Sequence, residues 1–167
     1  MDDAPLLVAL GGLPGTGKTT LARALARELG AAHVRIDTIE QALLRTSLGL
    51  DRPAEAGYVI GATVAVDCLA AGIPVVADAV NAVDEARTGW RSAAGASRLV
   101  EVWLTCSDAD EHRHRVESRV ADIPGHRQPT WADVVAVAVD PWPSATVVET
   151  AGRPPAVVLA DVLDVCR

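Results

Sequence analysis

Phenylalanine is absent from the 167-residue sequence, tyrosine occurs once and tryptophan four times. The core must therefore be built mainly from valine, leucine and alanine, and half of the residues are hydrophobic. This length and composition predict a single domain over residues 1–167. Lysine is scarcer than tryptophan: Lys18 is the only one, and every other strongly basic side chain is arginine.

Positive charge is not in excess either. The net charge is −7 and the sequence has no basic stripe, which predicts that nucleic acid is not a partner. The cysteines, Cys68, Cys106 and Cys166, lack paired spacing. We expect free thiols of a cytoplasmic protein, without a disulfide or a zinc site.

A membrane segment is not predicted. The acidic start, Met1-Asp2-Asp3, favours a strand over a signal peptide in the apolar run that follows. The apolar stretch 57–80 is interrupted by Asp67 and broken by Gly72 and Pro74 into a helix and a strand.

A glycine-rich segment follows the apolar run Leu6–Leu10 and fits the P-loop pattern, in which four residues separate Gly12 from Gly17-Lys18-Thr19. Glycines allow backbone N–H groups to face a phosphate, and a helix beginning there adds its positive end. We predict that Lys18 contacts the β- and γ-phosphates and that Thr19 binds Mg²⁺. The predicted nucleotide-binding residues here are Gly12, Pro14, Gly15, Thr16, Gly17, Lys18, Thr19 and Thr20. The alternative is a tight turn without a ligand, but the retention of a single lysine at this position favours phosphate binding.

Strand-like and helix-like segments alternate along the chain. The predicted strands are 6–10, 34–36, 74–77, 99–105 and 146–149, and the predicted helices are 18–29, 38–45, 56–71, 83–94, 108–120 and 156–165. This alternation predicts an α/β fold with three layers, a parallel five-stranded sheet with helices on both faces.

The turn-rich segment Asp122–Pro129 breaks this rhythm. We predict that it belongs to a short lid over the site, the alternative being an ordinary surface loop. A short helix is expected to begin after Thr130, whose hydroxyl would cap it, with Asp133 three residues further on.

Two aspartates follow predicted strands at the edge of the sheet where ligands bind. Asp37 ends the second strand and is either a functional carboxylate or a cap for the next helix. Asp78 ends an apolar strand in the manner of a Walker B element and is a candidate Mg²⁺ ligand. Ala79 follows it in place of the glutamate that many ATP-hydrolysing proteins use, which favours phosphate transfer over hydrolysis.

Arginines are frequent after the fourth strand. Arg115 and Arg119 lie four residues apart on the predicted helix 108–120, and Arg127 lies in the lid. We predict that Arg119 and Arg127 stabilise charge on a transferring phosphoryl group, the alternative being a solvated helix like that of Arg113 and Glu117. His112 and His114 do not share a helix face, so no metal site is predicted there.

With these motifs, the chain resembles the small P-loop kinases, which include chloramphenicol phosphotransferase, gluconate kinase and the kinase core of zeta toxins. The resemblance rests on the P-loop, Ile36-Asp37-Thr38, Asp78-Ala79-Val80-Asn81 and the arginine-rich lid, at about 112–130. It implies ATP and Mg²⁺ as cofactors, with Asp78 near Thr19 and the third strand beside the first. It also implies that Asp37 accepts the proton of a hydroxyl group, and that adenine lies at 151–153, with Arg115 and Gly152 at the nucleotide.

Two functions remain open. The first is a kinase that phosphorylates a small molecule at a hydroxyl group, as a monomer or homodimer. The second is a nucleotide-gated binding or regulatory ATPase module without a phosphate acceptor, which would not need a base at Asp37. A ring-forming AAA motor is not expected, because so short a chain lacks a helical lid domain. Trp142, held between two prolines, either covers the site or fills the core.

Overall fold

The structure is a computed structural model that describes residues 4–167. The acidic start at 1–3, on which the prediction of no signal peptide rests, lies outside these residues. Five parallel strands form one sheet in the order β2-β3-β1-β4-β5. Their bounds are β1 Leu6–Gly12, β2 Ala32–Arg35, β3 Val75–Asp78, β4 Arg98–Thr105 and β5 Thr146–Glu149.

The central position belongs to β1, which pairs with both β3 and β4 and is buried along its whole length. An uninterrupted apolar run suits such a strand, because helices cover both of its faces. The predicted order is confirmed: the third strand lies beside the first, and the second strand lies outside it.

Seven helices surround the sheet in the described residues: α1 Lys18–Leu29, α2 Ile36–Leu44, α3 Ala56–Ala70, α4 Asp84–Ala94, α5 Ala109–Glu117, α6 Trp131–Val135 and α7 Pro155–Val165. Alternate residues of β1 point to opposite faces of the sheet. Leu6, Val8 and Leu10 pack with α1 and α7. Leu7 and Ala9 pack with α3 and α4. The predicted three-layer α/β fold is confirmed.

Two predicted boundaries were wrong, and both concern candidate site residues. The second strand ends at Arg35, so Asp37 does not end it but lies in the first turn of α2. The predicted helix 108–120 ends at Glu117, so Arg115 and Arg119 do not share a helix face. Ser118 is the C-cap of this helix, and its N–H and its hydroxyl both donate to the His114 carbonyl, at 2.9 and 2.7 Å.

The predicted cap of α6 is confirmed. Thr130 caps α6 in a capping box with Asp133. The three cysteines are free thiols. Among residues 4–167, no helix is both long and apolar enough to span a membrane.

Trp142 is half-buried and does not contribute to the wall of the cavity described below, so it does not cover the site. Its ring packs edge-on against Trp103, with 6.2 Å between the centroids. The guanidinium of Arg87 lies 4.6 Å from the centre of the Trp142 ring.

Candidate functional site

The P-loop connects β1 to α1 with the geometry that phosphate binding requires. Gly15 and Gly17 have positive φ angles of 86° and 92°, and α1 begins directly after Gly17. The Thr16 hydroxyl and the Lys18 ammonium donate hydrogen bonds of 2.8 and 3.0 Å to the same carbonyl, that of Leu13. The Thr16 N–H donates to the same carbonyl at 3.3 Å, so the loop is tied together from within.

Helix α5 supports the P-loop from outside. The Nε2 atom of His112 lies 2.8 Å from the carbonyl oxygen of Pro14, and Val116 packs so closely that a Cβ on Gly15 would lie 2.6 Å from it. Trp131 stacks edge-on against His112 at 5.1 Å. No sequence pattern assigns His112 this role, since its partner is a backbone carbonyl 98 residues away.

Asp78 lies beside the P-loop at the end of β3 and is 3% exposed. Its Oδ2 atom is 3.2 Å from Nε2 of His33. Burial alone would raise the pKa of Asp78, but hydrogen bonds from His33 and Thr19 and the charge of Lys18 hold it below its ordinary value. Asp78 is therefore an ionised carboxylate next to the Thr19 hydroxyl.

A cavity of about 830 Å³ runs from the P-loop to the ends of the strands. One end is largely apolar and lies between α1 and α7. The other end is polar and is covered by the segment 118–130, which we call the lid loop. The lining residues include Leu21, Ala24, Leu104, Pro155, Ala156 and Leu159 at the apolar end, and Asp37, Asp78, Arg119, His126 and Arg127 at the polar end.

Most of the predicted site residues line this one cavity: Pro14, Gly15, Thr16, Gly17, Lys18, Thr19, Thr20, Asp37, Asp78, Arg115, Arg119 and Arg127. Gly12 does not; its N–H donates to the Val80 carbonyl at 3.1 Å and anchors the start of the loop. Gly152 does not line it either, and its N–H donates to a carboxylate oxygen of Glu111 at 2.8 Å. The neighbouring Thr150 and Arg153 line the apolar end instead.

The three candidate arginines are in different situations. Arg115 donates to the Thr150 hydroxyl and carbonyl at 3.1 and 2.9 Å and pairs with Glu111. Arg119 and Arg127 have no ion-pair partner among residues 4–167. Burial lowers the pKa of Lys18 to about 8, and the charge of Arg119 acts in the same direction. Arg119 therefore shares the electrostatic environment of the P-loop lysine.

Asp37 is one-third exposed and faces the cavity from α2. It lies in the first turn of α2, where a negative charge favours the positive end of the helix, and it accepts no hydrogen bond among residues 4–167. Its Oδ2 atom lies 3.9 Å from Arg35 and 4.0 Å from His126. No motif in the sequence indicated Arg35 or His126.

The residues fit a nucleotide and Mg²⁺. The ammonium of Lys18 has three N–H donors, and Leu13 accepts only one within the described residues. Gly17 has open space where a Cβ would stand. Thr19 and Asp78 supply a hydroxyl and a carboxylate oxygen, and Mg²⁺ in such sites takes few protein ligands together with phosphate oxygens.

The chain belongs to the AAA domain family, whose model matches residues 7–137. Within that family it has the fold of the small P-loop kinases. A curated relative, a UPF0200 protein of Aeropyrum pernix, is 36% identical over 101 residues. The match covers 52% of this chain and 54% of the relative, so the chain spans about half the length of the curated relative it matches.

Solved structures share the fold at low sequence identity. A gluconokinase from Sinorhizobium meliloti 1021 superposes with a TM-score of 0.67 at 19% identity, covering 97% of this chain and 91% of the other. The APS kinase of Mycobacterium tuberculosis, in complex with AMPPNP and APS, gives 0.68 at 17% identity and covers 98% of each chain. Kti12 of Chaetomium thermophilum, in complex with ADP-AlF3, gives 0.67 at 17% identity, with coverages of 96% and 99%.

Proposed function

We propose that the protein is a Mg-ATP-dependent phosphotransferase that moves the γ-phosphate to a hydroxyl group of a small molecule. The observation that carries this proposal is the position of Asp37. This carboxylate lies on the wall of the same cavity as Lys18, Thr19 and Asp78, and forms no hydrogen bond within the described residues.

In this proposal, an in-line displacement at the γ-phosphorus takes place at the polar end of the cavity. Asp37 takes the proton of the acceptor hydroxyl while that oxygen forms a bond to the γ-phosphorus. The bond from the γ-phosphorus to the oxygen that bridges to the β-phosphate breaks, and ADP leaves with that electron pair.

The remaining side chains lower the barrier by electrostatics. Lys18 and Arg119 face the negative charge on the phosphoryl oxygens, and Arg127 reaches the same end of the cavity from the lid loop. Mg²⁺, held by Thr19 and Asp78, would add positive charge at the β- and γ-phosphates. The apolar end between α1 and α7 has the chemistry to hold the adenine ring.

A coupled assay of ADP release tests the proposal. Mg-ATP is offered with panels of sugars, nucleosides, amino alcohols and hydroxylated antibiotics. We expect slow ADP release from Mg-ATP alone and a strong stimulation by one class of acceptor, with the phosphorylated product visible by mass spectrometry. Lys18→Met serves as the inactive control.

The second candidate is a nucleotide-gated regulatory module without a phosphate acceptor; the chain shares its fold with Kti12, whose structure contains ADP-AlF3. It predicts nucleotide binding with no acceptor that stimulates ADP release. A wild-type protein that binds Mg-ATP tightly, but forms no phosphorylated product with any panel, would favour this second function.

A further inference from the structure

Arg35 is a buried guanidinium surrounded by three carboxylates. It is the last residue of β2, stands opposite Asp78 in the sheet register and is 6% exposed. Asp78 comes from β3, Asp37 from α2 and Asp122 from the lid loop. A buried charge without a partner is strongly unfavourable, so the guanidinium must pair with at least one of these carboxylates.

In this structure the partner is Asp122. Nη1 and Nη2 of Arg35 donate to its two carboxylate oxygens at 2.7 and 3.1 Å, which is a bidentate pair. Arg23 on α1 donates to the same carboxylate at 2.5 Å from the exposed side. The hydrogen bonds from Arg35 and Arg23 hold the pKa of Asp122 well below its usual range. The lid loop is thus anchored over the site by an ionised side chain.

The other two carboxylates lie just outside hydrogen-bonding distance of Arg35. Its Nη2 atom is 3.9 Å from Oδ2 of Asp37, and its Nε atom is 3.9 Å from Oδ2 of Asp78. The Nε atom is buried and has no hydrogen-bond partner in the described part of the chain. As long as Asp122 holds the guanidinium, the lone pairs of Asp37 remain available.

If the lid loop lifts, Asp122 leaves with it and Arg35 is left without its bidentate partner. The nearest replacement is Asp37, which a shift of about 1 Å would bring into hydrogen-bonding distance. A carboxylate that accepts hydrogen bonds from arginine is a weaker base.

We propose that Arg35 is a positioning residue that exchanges partners: it holds Asp122 when the lid loop is closed and Asp37 when it is open. This inference rests on the proposed role of Asp37 as the base. The exchange frees Asp37 from Arg35 only when the lid loop closes. In an open site Asp37 is a weaker base, so transfer of the γ-phosphate to water is slowed.

Four proteins test the exchange, with Mg-ATP alone as the probe: the wild type, Asp122→Ala, Arg35→Met/Asp122→Ala, and Arg23→Met as the matched control. Asp122→Ala leaves Arg35 free to mask Asp37, so ADP release should fall about 10- to 100-fold. Removal of Arg35 from this variant unmasks Asp37 and should restore about tenfold of that loss. Arg23→Met removes a contact to the same carboxylate but keeps the bidentate pair, and its rate should stay within about twofold.

Recovery of ADP release in the double variant distinguishes the exchange from a merely structural role. If both residues were only structural, the second substitution would leave the rate as low or lower it further. A double variant as slow as Asp122→Ala, with a comparable melting temperature and Mg-ATP affinity, would overturn the proposal.

Limited trypsin digestion gives a second measurement that needs no turnover, because Arg119 and Arg127 are cleavage sites within the lid loop. With Mg-AMPPNP bound, cleavage there should be about fivefold faster in Asp122→Ala than in Arg23→Met. Equal cleavage of the two variants would show that Arg35 does not hold the loop. If Asp37→Asn released ADP at the wild-type rate, Asp37 would not be the base. Faster cleavage of Asp122→Ala would still show that the Arg35–Asp122 pair holds the lid loop.

Discussion

The Lys18 ammonium donates a 3.0 Å hydrogen bond to the carbonyl of Leu13, five residues earlier in the same loop. The only lysine of the chain is thereby held across the mouth of the P-loop, with its remaining donors available to phosphate oxygens. Burial lowers its pKa to about 8, while the charges of Asp78 and Asp37 act in the opposite direction. The ammonium is therefore mostly protonated at neutral pH.

Lys18→Met should abolish nucleotide-dependent turnover and weaken Mg-ATP binding, because an apolar side chain of similar length cannot contact phosphate. The fold should be retained, since Lys18 makes no ion pair within the described residues. Isothermal titration with Mg-ATP and a thermal melt measure the two effects. Turnover of Lys18→Met at the wild-type rate would contradict the assignment of the P-loop.

Asp37→Asn and Asp78→Asn should separate the two carboxylates of the cavity. Asp37→Asn keeps the shape but removes the basic charge, so acceptor-stimulated turnover should fall about 10²- to 10⁴-fold while Mg-ATP affinity is kept. Asp78→Asn should also weaken Mg-dependent ATP binding, because a carboxylate ligand of the metal is lost. Paired titrations of Mg-ATP affinity and acceptor-stimulated ADP release measure both. Unchanged stimulated turnover in Asp37→Asn would exclude Asp37 as the base.

Arg119→Ala should lower kcat about 10²- to 10³-fold with a smaller change in KM for ATP, because its charge is needed most where phosphoryl charge develops. Arg113→Ala is the matched control on the neighbouring helix: Arg113 is exposed, pairs with Glu117 at 2.8 Å and does not line the cavity. Steady-state kinetics of the two variants provide the comparison. Equal effects of both substitutions on kcat would mean that Arg119 is an ordinary solvated side chain.

Glu40→Gln should stabilise the protein at pH 8 and have no effect at pH 4. Burial, and then the charge of Asp37, raise the pKa of Glu40 to about 7 from an ordinary value of 4.5. Between these values the folded protein binds more protons than the unfolded chain, so wild-type stability falls as the pH rises from 4.5 to 7. The penalty is fully present above pH 7, and glutamine removes it.

Thermal melts of wild type and Glu40→Gln at several pH values check this prediction. A gain of about 2–4 °C at pH 8 would correspond to roughly 1 kcal/mol for a domain of this size. A gain that does not change with pH would instead mean that glutamine packs better and that ionisation of Glu40 is not the cause.

The parts of the molecule that the sequence predicted are those whose determinants are close together in the chain. The P-loop is written in eight consecutive residues, and its glycines specify backbone angles that other residues avoid. The alternation of apolar strands with amphipathic helices likewise predicted the parallel three-layer fold and most element bounds, since burial of each face is a local property of the pattern.

Tertiary structure alone decided the arrangement of the lid loop and its charges. The helix before it ends at Glu117, with Ser118 as its C-cap, which the helical pattern did not reveal. The loop then lies over the site because Asp122 pairs with Arg35, a residue 87 positions away. No local pattern specifies which of three aspartates a buried arginine will hold. That choice follows from distances that exist only once the strands and helices have packed.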